Sequence, residues 1–347
     1  MALVAGVTAV AAGCSSISYY AQAAGGQLAV MSAARPIDEL LADPATPASL
    51  KEKLRRAQEI RSFASRELGL PKNASYTEYA DLHRSAVVWN VFATPPLSLE
   101  LKTWCYPLFG CASYRGYFDH AAAERFGDEL RAQGYDVNVA PVPAYSTLGW
   151  FSDPLLNTFI NSQEGELARL LFHELAHQVV YVKDDTVFNE SFATAVERAG
   201  VARWLAQQHD DGLERAYAEI ERRRTDFLGL LLRYRGKLQQ IYAEAAPASV
   251  LLERKRAVFD QLQTDYRQMR DVRWGGFRGY DRYFDQKLNN AHLAAIGAYY
   301  DLVPAFDAML ARDGSFPAFY AEVRRLAKLD KPQRDAALGL ISGETSR

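Results

Sequence analysis

The sequence is poor in cysteine and histidine, since its 347 residues include only three Cys and six His. So few cysteines exclude a zinc site built from thiolates alone. The net charge of −2 excludes the strong positive field typical of proteins that bind nucleic acid or anionic membrane surfaces. No stretch of 18 consecutive apolar residues occurs, and we find no repeat and no low-complexity segment. What remains is an ordinary globular composition, 49% hydrophobic and 24% charged, which is enough for a substantial core.

Two of the six histidines lie four residues apart in the segment His173-Glu174-Leu175-Ala176-His177. On a helix this spacing directs both imidazoles at one point, and converging imidazoles suit Zn²⁺. Glu174 lies about 100° around the helix, beside the open position of such a metal, where it can take a proton from an attacking water. The alternative is a surface helix with two unrelated histidines. An apolar stripe argues against it, because it predicts a buried helix; its members are Leu167, Leu170, Leu171, Leu175, Val179 and Val180.

A catalytic zinc site needs a third protein ligand. A third His six residues after His177, as in metzincins, is excluded because Lys183 occupies that position. We predict a loop over residues 183–189 and a helix from Glu190 to about Gln207. A seven-residue loop spans up to about 23 Å, so Glu190 can fold back onto the metal. The alternative is that Glu190 is simply an acidic residue in a first helical turn, where the helix dipole favours it.

Side chains beyond the ligands are predicted from the same segment. Zinc-bound histidines usually donate their other ring N–H to an oxygen atom of the protein. The candidates for that role are Asn189, Thr194 and Glu197.

These residues carry a family resemblance. The pair of histidines with Glu174, followed by Asn189-Glu190 and Glu197, resembles the gluzincin metallopeptidases, especially the membrane alanyl aminopeptidases. More closely, the chain is similar to a bacterial family of predicted aminopeptidase lipoproteins. The matching stretches are residues 111–118, 144–151, the zinc segment and 289–306.

The resemblance implies a zinc metallopeptidase, a hydrolase, with an aminopeptidase preference for a free α-amine over an N-acetylated one. It also implies a Tyr or His from the helical region that stabilises the oxyanion, for which Tyr299 is the candidate; ordinary packing of Tyr299 in a helix is the alternative. The sequence departs from the alanyl aminopeptidases in its shorter spacer and in lacking their Gly-Ala-Met-Glu-Asn motif. No residue can therefore be named that would hold the substrate amine.

The start of the chain indicates its compartment. Residues 3–13 are apolar and small and end in Ala11-Ala12-Gly13-Cys14, which resembles a lipobox with Cys14 as the lipidated residue. Ser15 after the cysteine favours the outer membrane, so we expect a periplasmic protein held on the membrane by a lipid anchor. No Lys or Arg precedes the apolar run, as a signal peptide would require. The alternatives are an ordinary signal peptide and a short hydrophobic helix.

The other two cysteines are Cys105 and Cys111. In an oxidising periplasm we expect them to form a disulfide that pins a turn. A metal-binding pair and two free buried thiols are the alternatives.

The periodicity predicts a helix-rich α+β fold with a zincin-like core, meaning a small sheet with an edge strand beside the active-site helix. We expect one domain over residues 15–347 after a signal segment at 1–13, with a helical insertion at about 212–270 that forms a lid or a wall over the cleft. The other predicted elements are a helix from Thr46-Pro47 to about Leu68, paired strands at 86–93 and 97–104, a helix at 121–133, and a strand at 137–147 whose edge can accept substrate. Asn289 and Asn290 either bind substrate or cap an element.

Together these features predict zinc-dependent peptide hydrolysis in the bacterial envelope, with a peptide as substrate. Two other functions stay open: an endopeptidase for misfolded envelope proteins, and a non-catalytic assembly factor with a structural zinc. Glu174 argues against the second, because a structural site needs no base.

Overall fold

The computed structural model describes residues 19–106 and 110–344; the side chains of residues 298, 299 and 340–344 are excluded from the description. Its helices are α1 (residues 19–33), α2 (Ile37–Ala42), α3 (Ala48–Glu67), α4 (His120–Ala132), α5 (Glu164–His177), α6 (Thr186–Gln208), α7 (Asp211–Tyr242), α8 (Ala248–Gln268), α9 (Asp281–Phe284), α10 (Asn290–Tyr300), α11 (Val303–Asp313), α12 (Phe316–Ala327) and α13 (Lys331–Glu344). Its strands are β1 (Ala34–Pro36), β2 (Glu78–Ala80), β3 (Val88–Thr94), β4 (Trp104–Tyr106), β5 (Gly110–Ala112), β6 (Arg115–Tyr117), β7 (Asp136–Val142) and β8 (Leu155–Leu156). The fold is thus helix-rich with small sheets, as an α+β class requires.

The strands form three small sheets, in the orders β1-β2-β8, β6-β3-β7 and β4-β5. In the second sheet β3 is central and pairs antiparallel with both neighbours, so β7 is an edge strand. β7 ends at Val142, five residues earlier than predicted. In the third sheet Cys105 lies opposite Cys111, and a disulfide joins the two.

The predicted pairing of residues 86–93 with 97–104 is wrong. β3 pairs with β6 and β7 instead, and within 97–104 only Trp104 belongs to a strand. Two consecutive prolines, Pro95 and Pro96, supply no N–H group for a ladder next to the turn. Their segment is instead held by the buried side chain of Asn290, whose amide nitrogen donates to the carbonyls of Pro96 and Ser98 at 3.0 and 2.9 Å.

The loop between α5 and α6 lies earlier in the chain than predicted, at residues 178–185 rather than 183–189. α6 begins at Thr186 rather than at Glu190, because the Asp185 side chain caps it by accepting the N–H of Phe188. Glu190 therefore lies in the second turn, and the interpretation of Glu190 as a first-turn acidic residue is wrong. The loop is closed by Asn189, whose side chain accepts the N–H of Val182 at 2.8 Å and donates to its carbonyl at 2.7 Å.

Helices α5 and α6 pack closely against each other within the main core. Gly200 of α6 permits this approach, since a Cβ atom there would lie 2.7 Å from Leu68 and 2.8 Å from Phe172 of α5. The surrounding core is aromatic, with Phe192 of α6 in ring contact with Phe306 and Phe319. The two helices that carry the predicted ligands are therefore held at a fixed distance.

Helices α7 and α8 form the predicted helical hairpin, with their turn at residues 243–247. They bury a separate apolar cluster, in which Tyr234 and Leu238 of α7 pack with Leu262 and Tyr266 of α8. Among the described residues, no helix has the length and apolar character needed to cross a membrane. Residues 1–18, including Cys14, lie outside the described residues.

Candidate metal centre

The structure brings together the three predicted ligands. His173 Nε2 lies 3.1 Å from His177 Nε2 and 3.2 Å from Glu190 Oε2, and His177 Nε2 lies 3.6 Å from the same oxygen. Two ligand atoms about 2.05 Å from Zn²⁺ at a tetrahedral angle lie about 3.3 Å apart. The three separations scatter around that value, so this donor set fits a zinc ion with three protein ligands. In the part of the chain that the structure describes, it is the one cluster of His, Cys, Asp or Glu with this geometry.

The fourth residue at the centre is Glu197, about two turns beyond Glu190 along α6. Its Oε2 lies 2.9 Å from His173 Nδ1, and its two oxygens accept from Arg169 Nη1 at 3.1 and 3.2 Å. Glu197 therefore orients His173, and a neutral ring whose Nδ1–H donates to Glu197 would present Nε2 to a metal. Arg169, which the sequence did not suggest, supplies the opposite charge that a buried carboxylate needs.

The charges at the centre stabilise one another. Burial alone would lower the pKa of His173, but the hydrogen bonds with Glu190 and Glu197 outweigh burial and raise it. Burial alone would raise the pKa of Glu190 and of Glu197. Together the charges of His177 and His173 and their hydrogen bonds outweigh burial for Glu190, and the charge of Arg169 and the contact with His173 outweigh it for Glu197, so both pKa values are lowered. Both carboxylates are thus anionic at neutral pH, as a cation at this position requires.

Glu174 is buried beside the ligands, and its environment differs from theirs. Burial raises its pKa, and the charges of Glu190 and Asp153 add to this effect, while His173 and His177 oppose it. A carboxylate with a raised pKa is a better proton acceptor than a carboxylate with the ordinary pKa. This is the property required of a general base.

The ligands and Glu174 line a cavity of about 720 Å³. One wall comes from α1, whose Tyr19, Ala23 and Gln27 recur on one helical face. Other lining residues come from the sheet β6-β3-β7, from α5 and α6, and from α10. No described lining residue belongs to α7 or α8, so the expectation that this hairpin forms a wall or a lid receives no support.

The side chain of Tyr299, the predicted oxyanion residue, lies outside the described residues. Its neighbour Tyr300 lines the cavity near Glu197 and Arg169. Tyr114 lines the same cavity; burial raises its pKa, and the charges of Glu190 and Glu174 raise it further. Tyr114 belongs to residues 111–118, one of the stretches that resemble the bacterial family. No chemical pattern in the sequence distinguished it from its neighbours.

The other predicted residues have structural contacts. Asn189 binds the backbone of Val182 rather than a histidine, and Thr194 is buried in the cavity lining with no hydrogen bond to either His. Of the three residues predicted to accept a hydrogen bond from a metal-binding histidine, only Glu197 forms such a contact, with His173. His177 Nδ1 has no hydrogen-bond partner among the described residues.

Asn289 and Asn290 both serve the fold. The Asn289 side chain caps α10 by accepting the N–H of Ala291 at 3.0 Å. Asn290 is fully buried and holds the backbone of residues 95–98, so neither asparagine is placed to bind substrate.

One known protein family matches the sequence of this chain. The sequence profile of the family described as "Putative aminopeptidase" matches residues 18–338. No curated protein and no solved structure matches the chain. Because the match covers nearly the whole chain, the protein belongs to the putative aminopeptidase family.

Proposed function

We propose that this protein hydrolyses peptide bonds with a Zn²⁺ ion held by His173, His177 and Glu190. The observation that carries the proposal is the convergence of three ligand atoms at the separations of a tetrahedral zinc site, in a cavity that also contains a buried base. When bound, the ion would polarise the scissile carbonyl and make a water molecule more acidic. Membership in the family supports peptidase activity.

The chain's own residues have separate roles in this proposal. Glu174 takes the proton of the attacking water and delivers it to the leaving amine nitrogen. Tyr114 keeps its phenolic proton at neutral pH, because burial raises its pKa, and it can donate a hydrogen bond to the oxygen on which negative charge develops. Glu197, backed by Arg169, holds the His173 ring in place.

The location that we propose is the periplasmic face of a bacterial membrane, with Cys14 as the lipid anchor and the outer membrane as the destination. The support comes from the lipobox-like sequence and from the Cys105–Cys111 disulfide, since disulfides persist in oxidising compartments. Changing Cys14 to Ser should release a correctly exported protein from the membrane fraction. Continued membrane association of the exported variant would contradict the anchor.

The family description suggests an aminopeptidase, and the preference for a free α-amine stays a prediction. A second candidate, endopeptidase activity, is favoured by one observation: every carboxylate among the described lining residues already has a role at the metal centre. The non-catalytic alternative is disfavoured by Glu174, a buried base that a structural zinc site does not need.

The proposal is tested with a fluorogenic peptide library and the Glu174→Gln variant. Gln keeps the size of the side chain but cannot accept a proton at neutral pH, so the variant should bind zinc and lose hydrolysis. A chelator should abolish wild-type activity, and added Zn²⁺ should restore it. Wild-type turnover by Glu174→Gln, or by metal-free protein, would overturn the proposal.

A further inference from the structure

The floor of the cavity carries two amide side chains. On strands β3 and β7 the residues that pack towards α4 are apolar, and they include Val91, Ala93 and Val137. Side chains alternate between the faces of a sheet, so the neighbouring positions point the other way. Asn90 and Asn138 occupy such positions and line the cavity.

Both amides are buried and unpartnered. Asn90 is 6% exposed and Asn138 is 8% exposed, and among the described residues no hydrogen bond joins either side chain to the rest of the protein, so both face the open space of the cavity. Each amide offers two N–H donors and a carbonyl acceptor. Since both amides line the cavity, the molecule that occupies it, whether water or a ligand, forms their hydrogen bonds.

A third unpartnered group belongs to His292 of α10, which is 4% exposed and lines the same cavity. Its Nδ1 is engaged in the helix cap, where it lies 3.3 Å from the backbone N–H of Asn289 and 3.1 Å from Oδ1 of the same residue. Burial and the charge of Arg131 lower the pKa of His292 to about 4, so the ring is neutral. The ring nitrogen on the other side, Nε2, has no hydrogen-bond partner among the described residues, and it donates or accepts according to the tautomer.

The three groups lie in one region of the cavity. The cap residue Asn289 donates to the carbonyl of Val137 at 2.9 Å, which places the start of α10 beside Asn138. The register pairs Phe92 with Asn138, so Asn90 and Asn138 are diagonal neighbours, about 7–8 Å apart. An extended peptide repeats every two residues, or about 7 Å, so the two amides match its period.

This region carries no charge that would select an ammonium group. The described lining residues include three carboxylates, Glu174, Glu190 and Glu197, and all three contact or adjoin the metal ligands. A substrate with a free α-amine would therefore find no further carboxylate in the described lining.

We propose that Asn90, Asn138 and His292 form a neutral polar subsite that binds main-chain amide groups of an extended substrate, so that binding does not depend on a free α-ammonium group. The substrate class is a peptide that is internal or blocked at its N-terminus. The proposal rests on the proposed function, because it takes the substrate of the zinc centre to be a peptide.

The first test leaves the three subsite residues intact and prevents turnover by removing the general base. Zinc-loaded Glu174→Gln protein is titrated with two fluorescent peptides that are identical except for N-acetylation, and binding is followed by fluorescence polarisation. The two dissociation constants should agree within about threefold, whereas recognition of an ammonium by a buried carboxylate would weaken the acetylated peptide about 10- to 100-fold. A loss of that size would overturn the proposal.

The second test removes the amides. Asn90→Leu and Asn138→Leu keep similar volume without hydrogen bonds, and each should weaken binding of the acetylated peptide about threefold to tenfold. The matched control is Asn161→Leu, since Asn161 is exposed and bonds to Lys53 instead of lining the cavity. Unchanged binding in both cavity variants, with wild-type zinc content, would show that only water occupies this region and would overturn the proposal.

These binding measurements are separable from the proposed function. If Glu174→Gln remained active, the proposed catalysis would fail while the comparison of the two peptides still reported on the subsite. If a cavity variant did not fold, the acetylation comparison, which leaves both amides intact, would decide the matter.

Discussion

The contact between Glu197 and His173 makes a quantitative prediction about zinc affinity. Glu197 is buried, accepts from His173 Nδ1 at 2.9 Å and from Arg169 at 3.1 and 3.2 Å. In Glu197→Gln only one oxygen remains, so either His173 or Arg169 faces an NH₂ group instead of an acceptor. Loss of such a partner behind a metal-bound His typically weakens metal binding 10- to 100-fold, which corresponds to about 1.4–2.7 kcal/mol.

The control variant is Glu166→Gln. Glu166 also pairs with Arg169, at 3.4 Å, but it has no contact with His173. Both variants should be compared with the wild type in a zinc titration against a chromophoric chelator at neutral pH, after circular dichroism has shown that each is folded. The reasoning would be refuted if Glu197→Gln bound zinc within about threefold of the wild type, or if Glu166→Gln lost as much affinity.

Two further predictions concern Tyr114 and His292. Tyr114→Phe should lower kcat about a hundredfold, with KM and zinc content little changed, because only the stabilisation of the oxyanion is lost; steady-state kinetics showing an unchanged kcat would exclude this role. The pKa of His292 is about 4 in the folded chain, against 6.5 for an ordinary histidine. Between these two pH values the unfolded state binds more protons than the folded state. The free energy of unfolding therefore falls as the pH falls from about 6.5 to about 4. The loss is about 3 kcal/mol, and urea unfolding of His292→Gln should show a correspondingly flatter pH dependence; an identical profile would contradict it.

The sequence predicted the elements whose signals are local. The helix from Ala48 to Glu67, the helix α4 and the hairpin α7–α8 all lie within a few residues of their predicted bounds, since apolar periodicity and terminating glycines or prolines mark them. The spacing of His173 and His177 similarly predicted that their Nε2 atoms would converge.

The sequence did not predict contacts that depend on distant segments. The pairing of β3 with β6 and β7 was missed because an antiparallel partner far along the chain leaves no local signal. Arg169 was missed because its partner Glu197 follows 28 residues later. The start of α6 was misplaced because Asp185, the residue that caps it, was assigned to the loop.

The expectation of a free-amine preference came from the family resemblance and from no residue of the chain. The structure supplies the residues that bear on it, namely the three carboxylates at the metal centre and the neutral groups Asn90 and Asn138. These residues favour recognition of an uncharged peptide group, and the pair of acetylated and unblocked peptides decides between the two specificities.

The central claim is that His173, His177 and Glu190 hold one zinc ion, and metal analysis of purified variants tests it most directly. We expect about one Zn²⁺ per chain in the wild type and in Glu174→Gln, whose side chain lies beside the ligand set without belonging to it. His173→Ala, His177→Ala and Glu190→Ala should each lose zinc at equal free-metal concentration, while circular dichroism shows a folded chain. Full zinc occupancy in Glu190→Ala would contradict the assignment of the third ligand, and a zinc-free wild type would contradict the account as a whole.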